Sequence, residues 1–217
     1  MGPLVRDSLC DEAIRLGTQL ADLLPDEPEV KGLLALMLLI HSRHAARLDA
    51  AGDMLTLPAQ DRSLWDHAMI QHGVQLLTAC IRCNRPGPYQ LQAAINAIHA
   101  GAASAAATDW RQIVALYDQL LSLAPSPVAA LNRAVAVAET DGPRAALGIL
   151  ETLDLPRFYL FHAIRADLLR RIGRTGDAVQ AYLLATSEAG TWWNAITCKG
   201  NLTGCCTDDS IGRSRAP

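Results

Sequence analysis

Four polar side chains, Tyr89, Gln92, Asn96 and His99, are the residues of this 217-residue sequence best spaced to act together. On a helix they fall on one strip, about 80–160° round from Leu91 at 100° per residue. Their surroundings are unusual: residues 86–108 contain no Asp, Glu, Lys or Arg, in a chain that is 19% charged. A phenol, two carboxamides and an imidazole can grip a polar ligand by hydrogen bonds, and of these only the imidazole exchanges a proton near neutral pH. The plainer account of His99 is a satisfied core histidine. An unpaired buried polar group costs about 1–3 kcal/mol, so the strip must find partners in either case.

Other chemistry-bearing residues point to structure rather than reaction. His41 and His44 have the i, i+3 spacing of shared metal ligands. No Glu lies between them to act as a base, and Arg43 and Arg47 beside them would repel a cation, so they read as a solvated basic helix end. His67 and His72 diverge on a helix. Cys80-x-x-Cys83 has redox or half-zinc spacing, but no second pair completes it, and it ends a helix instead of opening one, where a thiolate would be stabilised. Asp66, Asp109, Asp118 and Asp167 are scattered singly, without the pairing that two-carboxylate catalysis needs. No phosphate loop or nucleophile elbow is present. The expectation is a protein that is not an enzyme and needs no cofactor or metal. Arg165, Arg170, Arg171 and Arg174 form the one basic patch of note. Asp167 is placed to pair with Arg170 or Arg171 at i+3 or i+4, and a net charge of −3 supplies no global drive toward nucleic acid.

The elements that must position these residues are helical. Half the residues are apolar but only 5% are aromatic, the composition of closely packed helices. Asp7 or Ser8 caps a first helix through Leu24, with Leu9, Ala13, Leu16, Leu20 and Leu23 or Leu24 as its inward stripe. A second begins at Pro28 and runs to about Arg47; its stretch from Leu33 to Ile40 is apolar on every side and belongs at the centre. Leu48 to Leu57 reads as a short β-hairpin or ordered loop turning at Gly52. Residues 61–80 are amphipathic, with Leu64, Ala68, Val74, Leu77 and Ile81 inward. The uncharged helix follows, showing Leu91, Ile95, Ile98 and Ala102 on one face. No run reaches the roughly 18 apolar residues of a membrane span, and the first residues lack a signal-peptide core, so the expected location is the cytoplasm.

After Asp109, which caps a helix beginning at Trp110, the texture becomes repetitive. Ala134, Ala146 and Leu150 find counterparts at Ala166, Ala178 and Tyr182, an offset of 32, with Gly142 near Gly173. Small residues where helices cross, a glycine turn, then alanine and a larger residue form the layout of a tetratricopeptide (TPR) repeat, whose units bury their faces by stacking. The predicted fold is all-α: a helical bundle continuing into a short TPR-like solenoid of helix pairs. The divisions are residues 1–85, the uncharged helix and linker 86–108, which would cement the two halves, helix pairs over 109–189, and an irregular tail 190–217.

Several motifs together resemble a known group. Trp65-Asp-His-Ala-Met-Ile, Arg85-Pro-Gly-Pro-Tyr-Gln-Leu-Gln-Ala-Ala-Ile, Pro125-Ser-Pro-Val-Ala-Ala-Leu-Asn-Arg-Ala-Val-Ala-Val-Ala and His162-Ala-Ile-Arg-Ala-Asp-Leu-Leu-Arg-Arg-Ile-Gly-Arg resemble the C-terminal extension of a group of bacterial extracytoplasmic-function sigma factors of the sigma-70 family. The resemblance covers residues 5–187, without the sigma domains that would bind polymerase and promoter. It implies a regulatory or protein-interaction module that modulates transcription initiation through its own sigma domains, RNA polymerase or a signal protein, and that binds no promoter sequence itself. The competing expectation is a helical receptor for a small molecule or peptide. Candidate binding residues are Tyr89, Gln92, Asn96, His99, Trp110, Asn132, Arg133 and Arg165.

Overall fold

The computed structural model describes residues 7–50, 52 and 54–188; the tail, and with it Cys198, Cys205 and Cys206, lies outside the described residues. All the regular structure in them is helical. The chain divides into two compact units, one of residues 1–49 and 55–125 and one of 50–54 and 126–217.

In the first unit α1 (Asp7–Leu23), α3 (His67–Arg82) and α4 (Pro88–Gly101) pack on α2 (Pro28–His41), and α5 (Trp110–Leu123) packs on α4. Pro28 and Glu29 open α2, where a missing N–H and a negative charge suit the first turn. Leu34, Ala35, Leu36, Leu38 and Leu39 are buried along it, as an all-round apolar helix demands. It ends at His41, short of Arg47. The Ser42 hydroxyl donates back to the Leu39 carbonyl (2.9 Å), and the Ser42 carbonyl accepts the Asp66 N–H (2.8 Å), drawing the chain into a 3₁₀ turn at His44–Ala46. The segment after it is a loop with bridge residues at Leu48 and Met54 and no extended strand among the described residues: the Leu55 N–H donates to the Arg47 carbonyl at 2.8 Å, and Gly52 has φ +85°.

Two inward faces differ from the reading of the apolar stripes. On α1, Leu9, Leu16, Leu20 and Leu23 are exposed, and Ile14, Gly17 and Ala21 face α2 instead, about 100° round the helix. On α3, Ala68 lies outside with Val74 and Ile81, as does Leu64 in the 3₁₀ turn before it, and the packed face is Gly73, Leu77 and Cys80. The reason is close approach. A Cβ on Gly73 would stand 2.9 Å from Leu39 Cγ, and one on Gly17 3.2 Å from Met37 Sδ. Small residues let backbones come together, and the larger ones are turned out.

α5 packs against α4, so the first compact unit takes in residues 109–125 as well. The second unit holds α6 (Pro127–Thr140), α7 (Pro143–Leu150), α8 (Tyr159–Arg171) and α9 (Thr175–Glu188), with α6 on α7, α7 on α8 and α8 on α9. Residues at the repeat offset do equivalent work: Ala134, Ala166, Ala146 and Ala178 are fully buried, Leu150 and Tyr182 almost so. Gly142 (φ +89°) and Gly173 (φ +79°) make the turns in the left-handed region that glycine enters without cost.

Gly32 of α2 meets α4 with no room for a side chain, since a Cβ there would lie 2.6 Å from Gln90 Cγ and 3.0 Å from its backbone nitrogen. Overpacking costs about 1–3 kcal/mol, against which alanine gains up to about 1 kcal/mol in helix propensity. Gly32→Ala is therefore expected to lower stability by about 1–2 kcal/mol, read as a reduced urea midpoint at unchanged slope.

Candidate functional site

The N-terminus of α4 is held by a residue that spacing did not single out. Glu29, from α2, accepts the Tyr89 N–H (2.5 Å) on Oε1 and the Gln90 Nε2–H (3.0 Å) on Oε2. A carboxylate at the positive end of a helix satisfies amides that have no intrahelical partner. A Cβ at Gly87 would fall on the Glu29 carboxylate, which would have to shift from this position. Gln90, buried and also donating to the Arg85 carbonyl (2.8 Å), is thus the polar anchor of this end, while the Tyr89 side chain stands largely in solvent.

Along the strip, two groups turn back on their own helix. Gln92 Nε2 donates to the Pro88 carbonyl (3.2 Å) and Asn96 Nδ2 to the Gln92 carbonyl (2.9 Å). Asn96 Oδ1 reaches outward and accepts from Arg43 Nη2 at 3.0 Å. His99 lies edge-on to Trp110, ring centroids 5.2 Å apart and planes at 72°. Asn96, His99 and Trp110 therefore come together at the C-terminal end of α4, and Tyr89 sits at the other end.

That end is ringed by arginine. Arg62 Nη1 donates to the carbonyls of His99 (2.7 Å) and Ala102 (2.8 Å), capping the negative end of α4. Its guanidinium carbon sits 4.4 Å from the centroid of the buried Trp65 ring. Burial, then Arg47 and Arg62, push the Arg43 guanidinium down to about 10. Burial, then Arg43 and Arg62, push the His99 imidazole down to about 4, so it is neutral at pH 7. General-base chemistry at His99 would call for a carboxylate behind the ring; the charged groups that bear on it are cations. Arg62 Nη2, Trp65 Nε1 and His99 Nδ1 are buried without a hydrogen-bond partner. Of this cluster, the reading by spacing had Asn96, His99 and Trp110 but passed over Arg43 and Arg62. The one available signal was the basic run that ends α2, which reads equally well as a solvated face.

The remaining candidates lie in the second unit. Asn132 is exposed on α6, and Arg133 is half-buried with partners of its own. Arg165 lines a groove of about 480 Å³ along α7 and α8, with Arg144, Leu147 and Phe161. The basic patch is largely neutralised: Arg170 pairs with Asp167 (2.7 Å) and Arg174 with Asp177 (2.6 Å). Arg171 goes to Glu139 on α6 (2.7 Å) instead of Asp167.

His41 stacks on His44 (5.4 Å, 16°) and lies 3.6 Å from Asp11 Oδ1. Buried Cys80 donates to the Pro28 carbonyl (3.2 Å), while Cys83 is exposed. Among the described residues no three His, Cys, Asp or Glu side chains gather as a metal site, and no helix is long and apolar enough to cross a membrane.

Residues 2–81 match the model of a family of unknown function, DUF6596. An uncharacterised protein of Rhizobium meliloti (strain 1021) is 48% identical over 180 residues, which is 82% of this chain and 43% of that protein. The chain thus spans less than half the length of the curated relative it matches.

The low proton affinity of His99 has a consequence for stability. An unfolded histidine titrates near 6.5 and the folded one near 4, so between these values the unfolded chain binds more protons and stability falls as pH falls. His99→Gln should remove this contribution. The loss of unfolding free energy between pH 7 and pH 4, measured by urea titration, should be smaller in the variant by about 2 kcal/mol after allowance for solvent screening.

Proposed function

We propose that this chain is the regulatory, protein-interaction module of a sigma-70-type transcription initiation factor, acting on other domains of a longer protein and binding no promoter sequence itself. The observation that carries this reading is the exposed face of α1. Leu9, Leu16, Leu20 and Leu23 stand 39–77% exposed. With Ala13 between them they keep the alternating four- and three-residue spacing of a helix-pairing seam. A seam of this kind in water calls for a partner. The relative is long enough to supply one, with more than half of its length outside the match.

Two further points support the reading. The motif resemblance runs through both units. In the second unit, the equivalent burial at the repeat offset fits a short TPR-like solenoid, an architecture suited to holding proteins. The partners under this proposal are the upstream sigma domains and RNA polymerase, with a signal protein or ligand as input, and the place of action is the cytoplasm. No catalytic role is assigned.

A second reading, a helical receptor, is favoured by the groove along α7 and α8. Arg144 and Arg165 make no ion pair among the described residues, and with Leu147 and Phe161 below them they suit a peptide that carries acidic and apolar side chains.

The two readings separate in a pull-down of RNA polymerase by the chain alone and by the chain fused to the part of its relative that lies outside the match. The sigma reading expects retention by the fusion only, and altered transcription from the fusion when Leu16 and Leu20 are both changed to Arg. A sequence-specific gel shift of promoter DNA by the chain alone at physiological salt would overturn it, as would a fusion that ignores polymerase.

A further inference from the structure

We propose that Arg43, Arg62, Asn96 and His99 form a binding site for a small oxyanion, the phosphate or carboxylate group of a soluble ligand. The inference concerns the first unit alone and stands apart from both readings of the whole chain.

The cluster has an imbalance that folding by itself does not explain. Burial, Arg47 and Arg62 lower the proton affinity of Arg43, and burial, Arg43 and Arg62 lower that of His99. No Asp or Glu among the described residues pairs with Arg43 or Arg62. Desolvated charge without a counterion is costly. Carboxylates nearby in sequence are committed elsewhere. Asp61 accepts the Ser63 N–H and hydroxyl, and Asp66 accepts the Met69 N–H. Glu29 holds the far end of α4.

Structural duties use part of each arginine. Arg62 caps α4 through Nη1, and Arg43 reaches Asn96 through Nη2. What is left over is a set of donors: Arg62 Nη2 is buried and unpartnered, and so is His99 Nδ1, which donates as the Nδ1–H tautomer. A neutral side chain could cap α4 without bringing a second cation beside Arg43. Guanidinium forks are the groups that match the paired oxygens of phosphate and carboxylate. An oxyanion placed among them would supply the missing countercharge, occupy the spare donors and raise the proton affinity of His99. The charged and titratable groups bearing on His99 are Arg43 and Arg62, with the uncharged Trp110 on its edge.

The test uses the whole chain at constant ionic strength, titrated calorimetrically with inorganic phosphate and, separately, with succinate, against sodium chloride. His99 ring resonances are followed by NMR in the same solutions. The expected result is saturable one-site binding of at least one oxyanion, with the His99 pKa rising by about one unit, tenfold in proton affinity. Arg43→Gln should lose that binding, while Arg157→Gln, at an exposed position in the second unit, should keep it. The tighter of the two probes identifies the group. The proposal is overturned if neither anion saturates beyond the chloride control, or if Arg43→Gln and Arg157→Gln bind alike, which would mean an adventitious ion only. If Arg43→Gln does not fold, the wild-type His99 shift decides: an unchanged pKa in saturating phosphate and succinate rejects the site.

Discussion

The first unit depends on how closely three helices approach α2. Gly17 admits Met37, Gly73 admits Leu39 and the Ala35 carbonyl, and Gly32 admits the backbone of Gln90. Each contact is too tight for a β-carbon to enter without displacement, in an interior where packing density leaves little room to yield. Once α1, α3 and α4 are seated in this way, which side chains face inward is no longer a free choice. Ile14 and Ala21 turn in and the α1 leucines turn out; Leu77 and Cys80 turn in and Ile81 turns out.

The same close approach sets the candidate site. Because α4 lies hard against α2, Glu29 reaches its first amides, and Arg62 reaches its last carbonyls from the other side. Both ends of an uncharged helix are thereby closed by charged side chains from elsewhere in the chain, each with the sign that the helix dipole favours. The consequence at the C-terminal end is a concentration of positive charge. It leaves His99 neutral at pH 7 and turns the end of α4 into a place suited to hold negative charge, not to move protons.

The second unit follows another logic. Its interior repeats, alanine over alanine, and the ion pair of Arg171 with Glu139 ties α8 to α6 across one repeat offset. Surface pairing of this sort adds little stability. It does neutralise a basic patch that looked open in sequence, leaving Arg144 and Arg165 as the arginines beside the groove.

Much of the architecture was legible in the amino-acid order: the helical class, the Asp109 cap of α5, the central place of α2, and the offset of 32 that pairs Ala134 with Ala166, with Gly142 near Gly173. These depend on local chemistry, since caps, turns and periodicity act within a few residues. The facing of α1 and α3 was not legible, because a leucine stripe records only which side is most apolar. What decided the matter was where a glycine allows a neighbour to come close, and that neighbour lies far away in sequence. The cluster at the end of α4 was half legible for the same reason. Asn96 and His99 share a helix and announce themselves by spacing, but Arg43 comes from 53 residues before Asn96 and Arg62 from 37 before His99. Spacing along one helix says nothing of charges brought from two other segments, and only the tertiary fold sets them together.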